Sequence, residues 1–259
     1  MDLGLKDKVV LVTGSSRGIG RSIALAFAQE GAKVVVTGRN IQDVEKTVQE
    51  IDQVSGKGWA YGFPCDLGRP EQVKACVENV LKVWGGIDHV VANMGSGQGK
   101  RGWDIDDHEW QSLLDVNLLS GFRIARAAIP HLIKRGGGSI IFISSIAGIE
   151  HVGAPIPYEA AKSAVISLSK SLARTLASHR IRVNTVVPGN ILFPGSIWEK
   201  KIEADKVGMS RMVEADVPLK RFGNPEEVAS AVVFLASEKS SFTTGAYLIV
   251  DGGQTRAYA

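Results

Sequence analysis

Short apolar runs rich in valine and isoleucine recur along the chain, and each is followed by a segment with helical periodicity. The first run, KVVLVT at 8–13, precedes residues 17–30, where Ile19, Ile23 and Phe27 fall on one helical face. The runs do not alternate apolar with polar residues, which is typical of strands covered on both faces of a parallel sheet. Strands that alternate with helices over short connections predict a doubly wound α/β fold.

Seven runs of this kind are predicted as strands, and most of the stretches between them as helices. The strands are predicted at 8–13, 32–37, 59–63, 87–93, 139–144, 181–187 and 246–251. The helices are predicted at 17–30, 41–54, 70–84, 107–134 (as one or two helices), 158–179 and 225–236. No linker or shift in composition divides the 259 residues. We therefore expect a single domain, 1–259, with helices on both faces of a sheet of about seven strands.

One segment interrupts the alternation of strands and helices. Residues 190–215 follow the sixth strand and contain Pro194 and Trp198 but no strand pattern. Two helices are predicted within it, at 197–207 and 209–215. Long excursions at the carboxyl end of a strand usually form binding loops. We therefore expect residues 190–215, named the lid segment, to cover a substrate.

Composition excludes several classes of protein. The chain is 44% hydrophobic and 22% charged, which is typical of a globular domain and not of a disordered one. It lacks an apolar run of about 18 residues and a secretory pattern at its start, so we expect a cytoplasmic protein with no membrane partner. The net charge of +3 comes from interspersed signs, which disfavours nucleic acid as a partner. The two cysteines, Cys65 and Cys76, are predicted to be buried and lack metal-ligand spacing, so no metal site is predicted.

A glycine-rich turn joins the first strand to the first helix, with the spacing Gly-x-x-x-Gly-x-Gly. Glycine allows a tight turn and lets backbone N–H groups approach a pyrophosphate, while the helix N-terminus adds partial positive charge. The turn therefore predicts a Rossmann-type dinucleotide site. The residues of this turn predicted to bind the cofactor are Gly14, Ser16, Arg17, Gly18, Ile19 and Gly20.

The end of the second strand is expected to select the cofactor. An acid at this position would bind the ribose 2′-hydroxyl of NAD(H), whereas an arginine would pair with the 2′-phosphate of NADP(H). The chain has Arg39 and Asn40 here and no acid, and a second cation, Arg17, lies in the glycine-rich turn. NADP(H) is therefore predicted as the preferred cofactor, with NAD(H) as the alternative. Asp66, which precedes Leu67 after the third strand, is predicted to contact the adenine.

A tyrosine and a lysine lie one helical turn apart, at Tyr158 and Lys162, and so share a helix face. A phenol has a pKa of about 10, and a neighbouring ammonium is expected to lower that pKa towards neutrality. Ser144 and Ser145 end the fifth strand, at the edge where open α/β sheets bind ligands, so a hydroxyl there can hold a substrate oxygen. Asn117 is predicted in mid-helix, where asparagine is unfavourable without a hydrogen-bond partner.

Together these motifs resemble the short-chain dehydrogenase/reductase family, in particular its 3-oxoacyl-[acyl carrier protein] reductases, over essentially the whole chain. The residues that carry the resemblance keep the family's order along the sequence, which makes it highly specific. They are Thr13, Gly14, Gly18, Ile19, Gly20, Asp66, Asn93, Gly95, Asn117, Ser145, Tyr158, Lys162, Pro188, Gly189, Asp251, Gly252 and Gly253.

The resemblance implies an oxidoreductase that interconverts a ketone and a secondary alcohol by hydride transfer, and a homotetramer. Tyr158 is then the general acid or base, and Lys162 binds the nicotinamide ribose and lowers the Tyr158 pKa. Ser145 orients the carbonyl, and Asn117 holds a water in a proton relay. Further contacts with the cofactor are implied for Asn93, Gly95, Pro188, Gly189 and Ile191.

The chain departs from the family's pattern beside Pro188. The family commonly has a threonine after the Pro-Gly pair that contacts the nicotinamide carboxamide, whereas this chain continues with Asn190 to Pro194. That contact is then lost, or a backbone group, for example at Ile191, replaces it.

The substrate is not fixed by these motifs. Residues of the loops at the carboxyl edge predicted to contact it are Ser96, His151, Phe193 and Trp198. A 3-oxoacyl thioester, a sugar or polyol ketone and a cyclic ketone remain alternatives. A non-catalytic dinucleotide sensor or scaffold on the same fold is a further alternative, and so is an NAD(H)-dependent alcohol dehydrogenase. The complete set of catalytic residue types argues against the sensor.

Overall fold

The computed structural model describes residues 2–257 and is built on one sheet. The strands are β1 Val9–Val12, β2 Lys33–Gly38, β3 Ala60–Pro64, β4 His89–Ala92, β5 Gly138–Ile143, β6 Ile181–Pro188 and β7 Tyr247–Val250. All pairs are parallel, and the order across the sheet is β3-β2-β1-β4-β5-β6-β7. The order reverses between β1 and β4, and ligands of open α/β sheets bind at such a point, at the carboxyl ends of the strands.

Helices cover both faces of this sheet. They are α1 Gly18–Gln29, α2 Ile41–Ser55, α3 Pro70–Trp84, α4 Asp107–Leu114, α5 Ser120–Arg135, α6 Ile156–Leu176, α7 Ile197–Ala204, α8 Lys206–Asp216 and α9 Pro225–Ala236. Helices α1, α2 and α9 pack on one face, and α3, α5 and α6 pack on the other. Within residues 2–257, none of these helices combines the length and the apolar character needed to cross a membrane.

The central strand β1 shows why the strand runs are continuously apolar. Val10 and Val12 pack into the core beside α1 and α9, while Val9 and Leu11 pack into the core beside α3 and α5. All four side chains are at most 1% exposed. Because successive side chains of a strand point to opposite faces, a sheet covered on both faces needs an apolar residue at every position.

The predicted fold class is confirmed, with seven parallel strands and helices on both faces. The stretch predicted as one or two helices at 107–134 is two helices, α4 and α5, joined by a π-helical turn, Asp115–Leu119. The predicted division of the lid segment near residue 208 is wrong. The break lies at Asp205, because its Oδ1 caps α8 by accepting a hydrogen bond from the Gly208 N–H at 2.8 Å.

The two cysteines are buried, as predicted. Cys65 follows β3 and is 7% exposed, and Cys76 lies in α3 and is fully buried. A hydrogen bond between the two thiols, together with burial, raises the pKa of Cys76. A thiol with a raised pKa stays protonated, so Cys76 is a packing residue and not a nucleophile.

Arg182, near the start of β6, ties the end of α9 to the sheet. Its guanidinium donates hydrogen bonds to the backbone oxygens of Leu235 at 2.6 Å, Ala236 at 2.8 Å and Ser237 at 3.1 Å. The last carbonyls of a helix have no partner within the helix, and a cation is favourable at this end of the helix dipole.

We expect Arg182→Met to lower the free energy of unfolding by about 3 kcal/mol, because these carbonyls lose their donor. Urea unfolding followed by circular dichroism measures the change. The control is Arg180→Met, since Arg180 is exposed and its substitution is expected to change stability by less than about 0.5 kcal/mol. Equal losses in the two variants would contradict this account of Arg182.

Candidate active site

A cavity of about 200 Å³ lies at the carboxyl edge of the sheet. The glycine-rich turn, the ends of β4, β5 and β6, the start of α6 and the lid segment surround it. Its polar side chains are those of Asn93, Ser96, Ser144, Ser145, Tyr158, Lys162, Ser196 and Trp198. The remaining residues around it are Ile19, Gly95, Gly97, Ile143, Pro188, Gly189, Ile191, Phe193 and Ile197. Gly97, Ile143, Ser196 and Ile197 were not predicted from the sequence, and their only signal was adjacency to predicted residues.

The glycine-rich turn is held in place from below by Asn93. Gly14 and Gly18 have φ values of +60° and +55°, which side chains rarely adopt. A Cβ on Gly20 would lie 2.3 Å from the Gly14 oxygen, so only glycine allows α1 to start so close to β1. The Asn93 Nδ2 donates hydrogen bonds to the backbone oxygens of Thr13 at 3.0 Å and Gly14 at 3.3 Å. The turn is therefore preformed as a cradle for an anion at a helix N-terminus.

Two guanidinium groups flank the end of β2. Arg17 and Arg39 are both exposed, and the described part of the chain places no carboxylate within ion-pair distance of either. The turn and β2 approach each other closely at Gly38, where a Cβ would lie 2.4 Å from the Ser16 Oγ. Both cations are thus available to an anionic ligand at this point.

The other residues predicted to bind the adenosine are partly used by the fold. The Asn40 Oδ1 caps α2 by accepting a hydrogen bond from the Gln42 N–H at 2.8 Å. The Asp66 Oδ1 accepts one from the Gly68 N–H at 3.0 Å, while the Asp66 side chain remains 40% exposed. Leu67 is only 1% exposed and packs in the core. Only the backbone of Leu67 can therefore face a cofactor.

Asn117 lies in the π-helical turn and is 3% exposed. Its Nδ2 donates hydrogen bonds to the backbone oxygens of Leu113 at 3.0 Å and Ser96 at 3.1 Å, and its Oδ1 accepts one from the Ser96 N–H at 2.9 Å. A Cβ on Gly95 would lie 2.9 Å from the Lys162 Nζ and 3.0 Å from the Asn117 Oδ1. Asn117 thus holds the loop after β4 against Lys162.

Lys162 is a buried cation at the centre of the site. It is 3% exposed, and its Nζ donates a hydrogen bond to the Ile143 oxygen at 2.9 Å. Burial lowers the pKa of Lys162 to about 8. Its backbone is fixed by Ser144, whose Oγ donates to the Lys162 oxygen at 2.7 Å. Ser144 therefore has a structural role beside the predicted catalytic Ser145.

Tyr158 lies half-buried beside these groups. Burial raises the pKa of its phenol, and a hydrogen bond with Ser145 opposes that rise only in part. The Lys162 Nζ lies 5.8 Å from the centroid of the Tyr158 ring and is hydrogen-bonded to the Ile143 oxygen. The expectation that Lys162 lowers the Tyr158 pKa is therefore wrong for this arrangement, because burial dominates. The phenol is protonated at neutral pH.

The lid segment closes the cavity from above. A Cβ on Gly18 would lie 2.5 Å from the Phe193 ring, so this ring rests directly on the glycine-rich turn. The Trp198 ring also lines the cavity, and its centroid lies 5.5 Å from that of Phe222. Ile191 anchors the start of the segment by bridging to Gly223.

His151 does not belong to the cavity, in contrast to the prediction. It lies on an exposed loop, where its Nδ1 is 2.9 Å from the Glu159 Oε2. Glu159 also accepts hydrogen bonds from the Val152 and Ala154 N–H groups at 3.1 and 3.0 Å. Its contact with Glu159 thus draws the imidazole away from the cavity wall.

Comparison with known proteins identifies the family. A family model described as "Enoyl-(Acyl carrier protein) reductase" matches residues 14–255. The 3-oxoacyl-[acyl-carrier-protein] reductase FabG of Thermotoga maritima is 37% identical over 96% of this chain and 98% of that protein. This chain belongs to the short-chain dehydrogenase/reductase family. The human dehydrogenase/reductase SDR family member 4 is 36% identical over 96% of this chain and 88% of that protein. The resemblance to FabG-like members and the oxidoreductase class are thereby confirmed.

Solved structures of short-chain dehydrogenase/reductases share the fold over the full chain. The L-sorbose reductase of Gluconobacter frateurii, complexed with NADPH and L-sorbose, matches with a TM-score of 0.94 at 34% identity and covers 100% of both chains. A 7α-hydroxysteroid dehydrogenase complexed with NADH and 7-oxo glycochenodeoxycholic acid matches with a TM-score of 0.90 at 29% identity, covering 100% of this chain and 98% of that one. These neighbours support a nicotinamide dinucleotide as the cofactor.

The burial of Lys162 makes stability depend on pH. Its pKa is about 8 in the folded protein, against 10.5 for an ordinary lysine. Between these values the unfolded chain binds more protons, so the free energy of unfolding rises with pH. We expect Lys162→Met to lose this rise, which amounts to at most about 3 kcal/mol.

Urea unfolding of wild type and Lys162→Met between pH 7.5 and 10 measures the difference. Comparing the two proteins at each pH cancels the titration of the other groups. A difference that stays constant across this range would show that Lys162 is not a desolvated ammonium.

Proposed function

We propose that the protein is an NADP(H)-dependent oxidoreductase that interconverts a ketone and a secondary alcohol. One observation carries the proposal: Ser145, Tyr158 and Lys162 line a single cavity with Ile19 of the glycine-rich turn. The cavity thus joins a hydroxyl, a phenol and an ammonium to the place where a dinucleotide's pyrophosphate would bind. Within the family now identified, this set is the basis for carbonyl reduction.

The residues present fit a nicotinamide dinucleotide. The positive φ values of Gly14 and Gly18 open the turn to an anion, and the missing side chain at Gly95 leaves room beside the Lys162 ammonium. We assign the pyrophosphate to the turn and the nicotinamide ribose hydroxyls to Lys162. The bound nicotinamide supplies or accepts the hydride.

Tyr158 acts as the general acid in the direction of ketone reduction. Its raised pKa keeps the phenol protonated at neutral pH, so a proton is ready for the carbonyl oxygen. The hydrogen bond with Ser145 fixes the direction of that proton, and the Ser145 hydroxyl polarises the same oxygen. Lys162 stabilises the phenolate that forms after proton transfer, once its ammonium turns from the Ile143 oxygen towards the cofactor ribose.

Asn117 acts by positioning. Its side-chain amide is occupied by Ser96 and Leu113, so it is not free to hold a water as the resemblance implies. It fixes the backbone at Ser96 instead, and this keeps Gly95 against Lys162. We propose that a relay water, where present, contacts groups other than the Asn117 side chain.

We propose that Arg17 and Arg39 select NADP(H) over NAD(H). Both are exposed cations beside the end of β2, where the ribose of the adenosine would lie, and neither is neutralised by a carboxylate in residues 2–257. A guanidinium binds a phosphate bidentately, whereas a ribose hydroxyl favours an acid that this position lacks.

The lid segment has to move for catalysis. The cavity of about 200 Å³ is smaller than the roughly 300–1,000 Å³ of typical ligand pockets. The Phe193 ring occupies space directly above Gly18. We therefore propose that the lid segment swings outward with Phe193 to admit the dinucleotide and then closes over the ketone, excluding water.

The substrate class remains to be chosen among carbonyl compounds. The FabG relative is named for 3-oxoacyl-[acyl-carrier-protein], and the sorbose reductase was solved with a sugar. We propose a ketone as the reacting group. We further propose a cytoplasmic homotetramer, on the family resemblance alone.

Replacing the phenol tests the mechanism. We expect Tyr158→Phe to lower kcat for NADPH-dependent ketone reduction at least about 1,000-fold, because the acid is removed, while the affinity for NADPH stays within a few-fold. Tyr61→Phe is the matched control, since Tyr61 packs against Trp84 in the core beside α3. A Tyr158→Phe enzyme that keeps wild-type turnover would refute the proposed role.

Reversing a charge tests cofactor selection. We expect Arg39→Asp to weaken NADPH binding about tenfold or more and to improve NADH binding, since an acid replaces the phosphate ligand. Titration of both cofactors by fluorescence measures the ratio. Lys57→Asp makes the same charge change at the far end of α2 and is expected to leave the ratio unchanged. An unchanged ratio in Arg39→Asp would place Arg39 outside the cofactor site.

A further inference from the structure

Two cations stand side by side at the mouth of the catalytic cavity. Lys201 belongs to α7, and its Nζ lies 4.2 Å from the centroid of the Trp198 ring, which lines the cavity. Arg101 belongs to the loop between β4 and α4 and is exposed. The two residues come from the two segments that border the mouth, one from the lid segment and one from the body of the protein.

Lys201 is held in a fixed place. Its ammonium sits over the face of Trp198, an attractive cation–π geometry. Trp198 is in turn packed against Phe222, with ring centroids 5.5 Å apart. The charge is therefore fixed beside the cavity wall and not spread through solvent on a mobile side chain.

The two charges repel each other, and no carboxylate of the described chain neutralises either. Burial lowers the pKa of Lys201, and the positive charge of Arg101 lowers it further, which shows that the two groups are close. The acids nearby have other partners: Asp104 pairs with Lys100 at 3.6 Å, and the Glu199 Oε2 accepts a hydrogen bond from the Gly195 N–H at 2.6 Å. Adjacent like charges without a counter-ion are unfavourable, and an anionic ligand removes that repulsion.

We propose that Lys201 and Arg101 form an anion subsite, so that the preferred substrates are ketones with a carboxylate or phosphate at the end remote from the carbonyl. This inference rests on the proposed function, since it assumes that the carbonyl lies at Tyr158. The anion bridges the lid segment and the loop after β4. The Trp198 and Phe193 rings face the apolar part of the ligand between its two polar ends.

The subsite also gives the lid segment a reason to close. In the absence of an anion, Lys201 and Arg101 push the lid segment away from the body of the protein. A bound anion converts that repulsion into two charge-assisted hydrogen bonds across the mouth. Closure is then favoured when a substrate of the right charge and length is present.

The test compares charged and neutral ketones of equal length. The substrates are 4-oxopentanoate, 6-oxoheptanoate and 8-oxononanoate with their methyl esters, each reduced with NADPH at low ionic strength. We expect the acid of the best length to have a KM about tenfold below that of its ester, and 0.5 M salt to reduce this advantage. Lys201→Gln and Arg101→Gln are expected to abolish the advantage and leave the KM of the ester unchanged.

The neighbouring lysines provide matched controls. Lys200→Gln and Lys100→Gln remove the same charge one position away and are expected to keep the preference for the acid, and so is the charge-conserving Lys201→Arg. Circular dichroism checks that each variant is folded. Equal KM values for acid and ester in the wild type, or the same preference in Lys201→Gln and Lys200→Gln, would overturn the inference.

The design separates failure of the subsite from failure of the proposed function. A wild-type protein that reduces the esters and the acids equally retains the proposed function and lacks the subsite. If no ketone is reduced, the proposed function fails, and calorimetric titration of 6-oxoheptanoate into the protein with NADPH tests the subsite alone. Binding that is weakened about tenfold in Lys201→Gln but not in Lys200→Gln supports the subsite, and equal or absent binding overturns it.

Discussion

The attachment of α6 to the carboxyl end of β5 determines where every reactive group of this protein lies. The Ser144 Oγ donates to the backbone oxygen of Lys162, and the Lys162 Nζ returns a hydrogen bond to the Ile143 oxygen. A Cβ on Gly148 would lie 2.6 Å from the Lys162 carbonyl carbon, so the loop after β5 also needs glycine to reach the helix. These contacts place Tyr158, one turn earlier on α6, beside Ser145. The geometry of the reaction therefore follows from strand–helix packing, and a loop is not needed to supply it.

This arrangement keeps an ammonium in a place that disfavours its charge. Burial brings the pKa of Lys162 down to about 8, and the same burial raises the pKa of Tyr158. The two shifts have opposite signs because burial disfavours the charged form of each group. At neutral pH the site thus holds one proton on the phenol and one positive charge on the lysine. That is the protonation state that ketone reduction needs, and it is reached through exclusion of water.

The sequence predicted the parts of the site that local pattern determines. The positive φ of Gly14 and Gly18 and the one-turn spacing of Tyr158 and Lys162 are properties of short segments, and the motifs were sufficient to find them. The sheet of seven strands was predictable for the same reason, since each strand run is recognisable by itself.

Features that depend on contacts between distant segments were not predictable. The direction of the Tyr158 pKa shift depends on how completely the lid segment and the loop after β4 bury the phenol. His151 was misplaced because Glu159, on the next helix, holds it. Likewise, the partners of Asn117 at Ser96 become visible only when the loop and the π-helical turn are brought together.

One consequence of the contact between Phe193 and Gly18 concerns the sequence of arrivals. A ring that rests on the bare turn occupies ground that a dinucleotide requires, while Trp198, a few residues further along the same segment, shapes the wall used by the ketone. Displacing the first remodels the second. The nucleotide therefore enters first and leaves last, and steady-state kinetics with both reactants varied follow a compulsory-order scheme in which the carbonyl compound meets only the loaded enzyme.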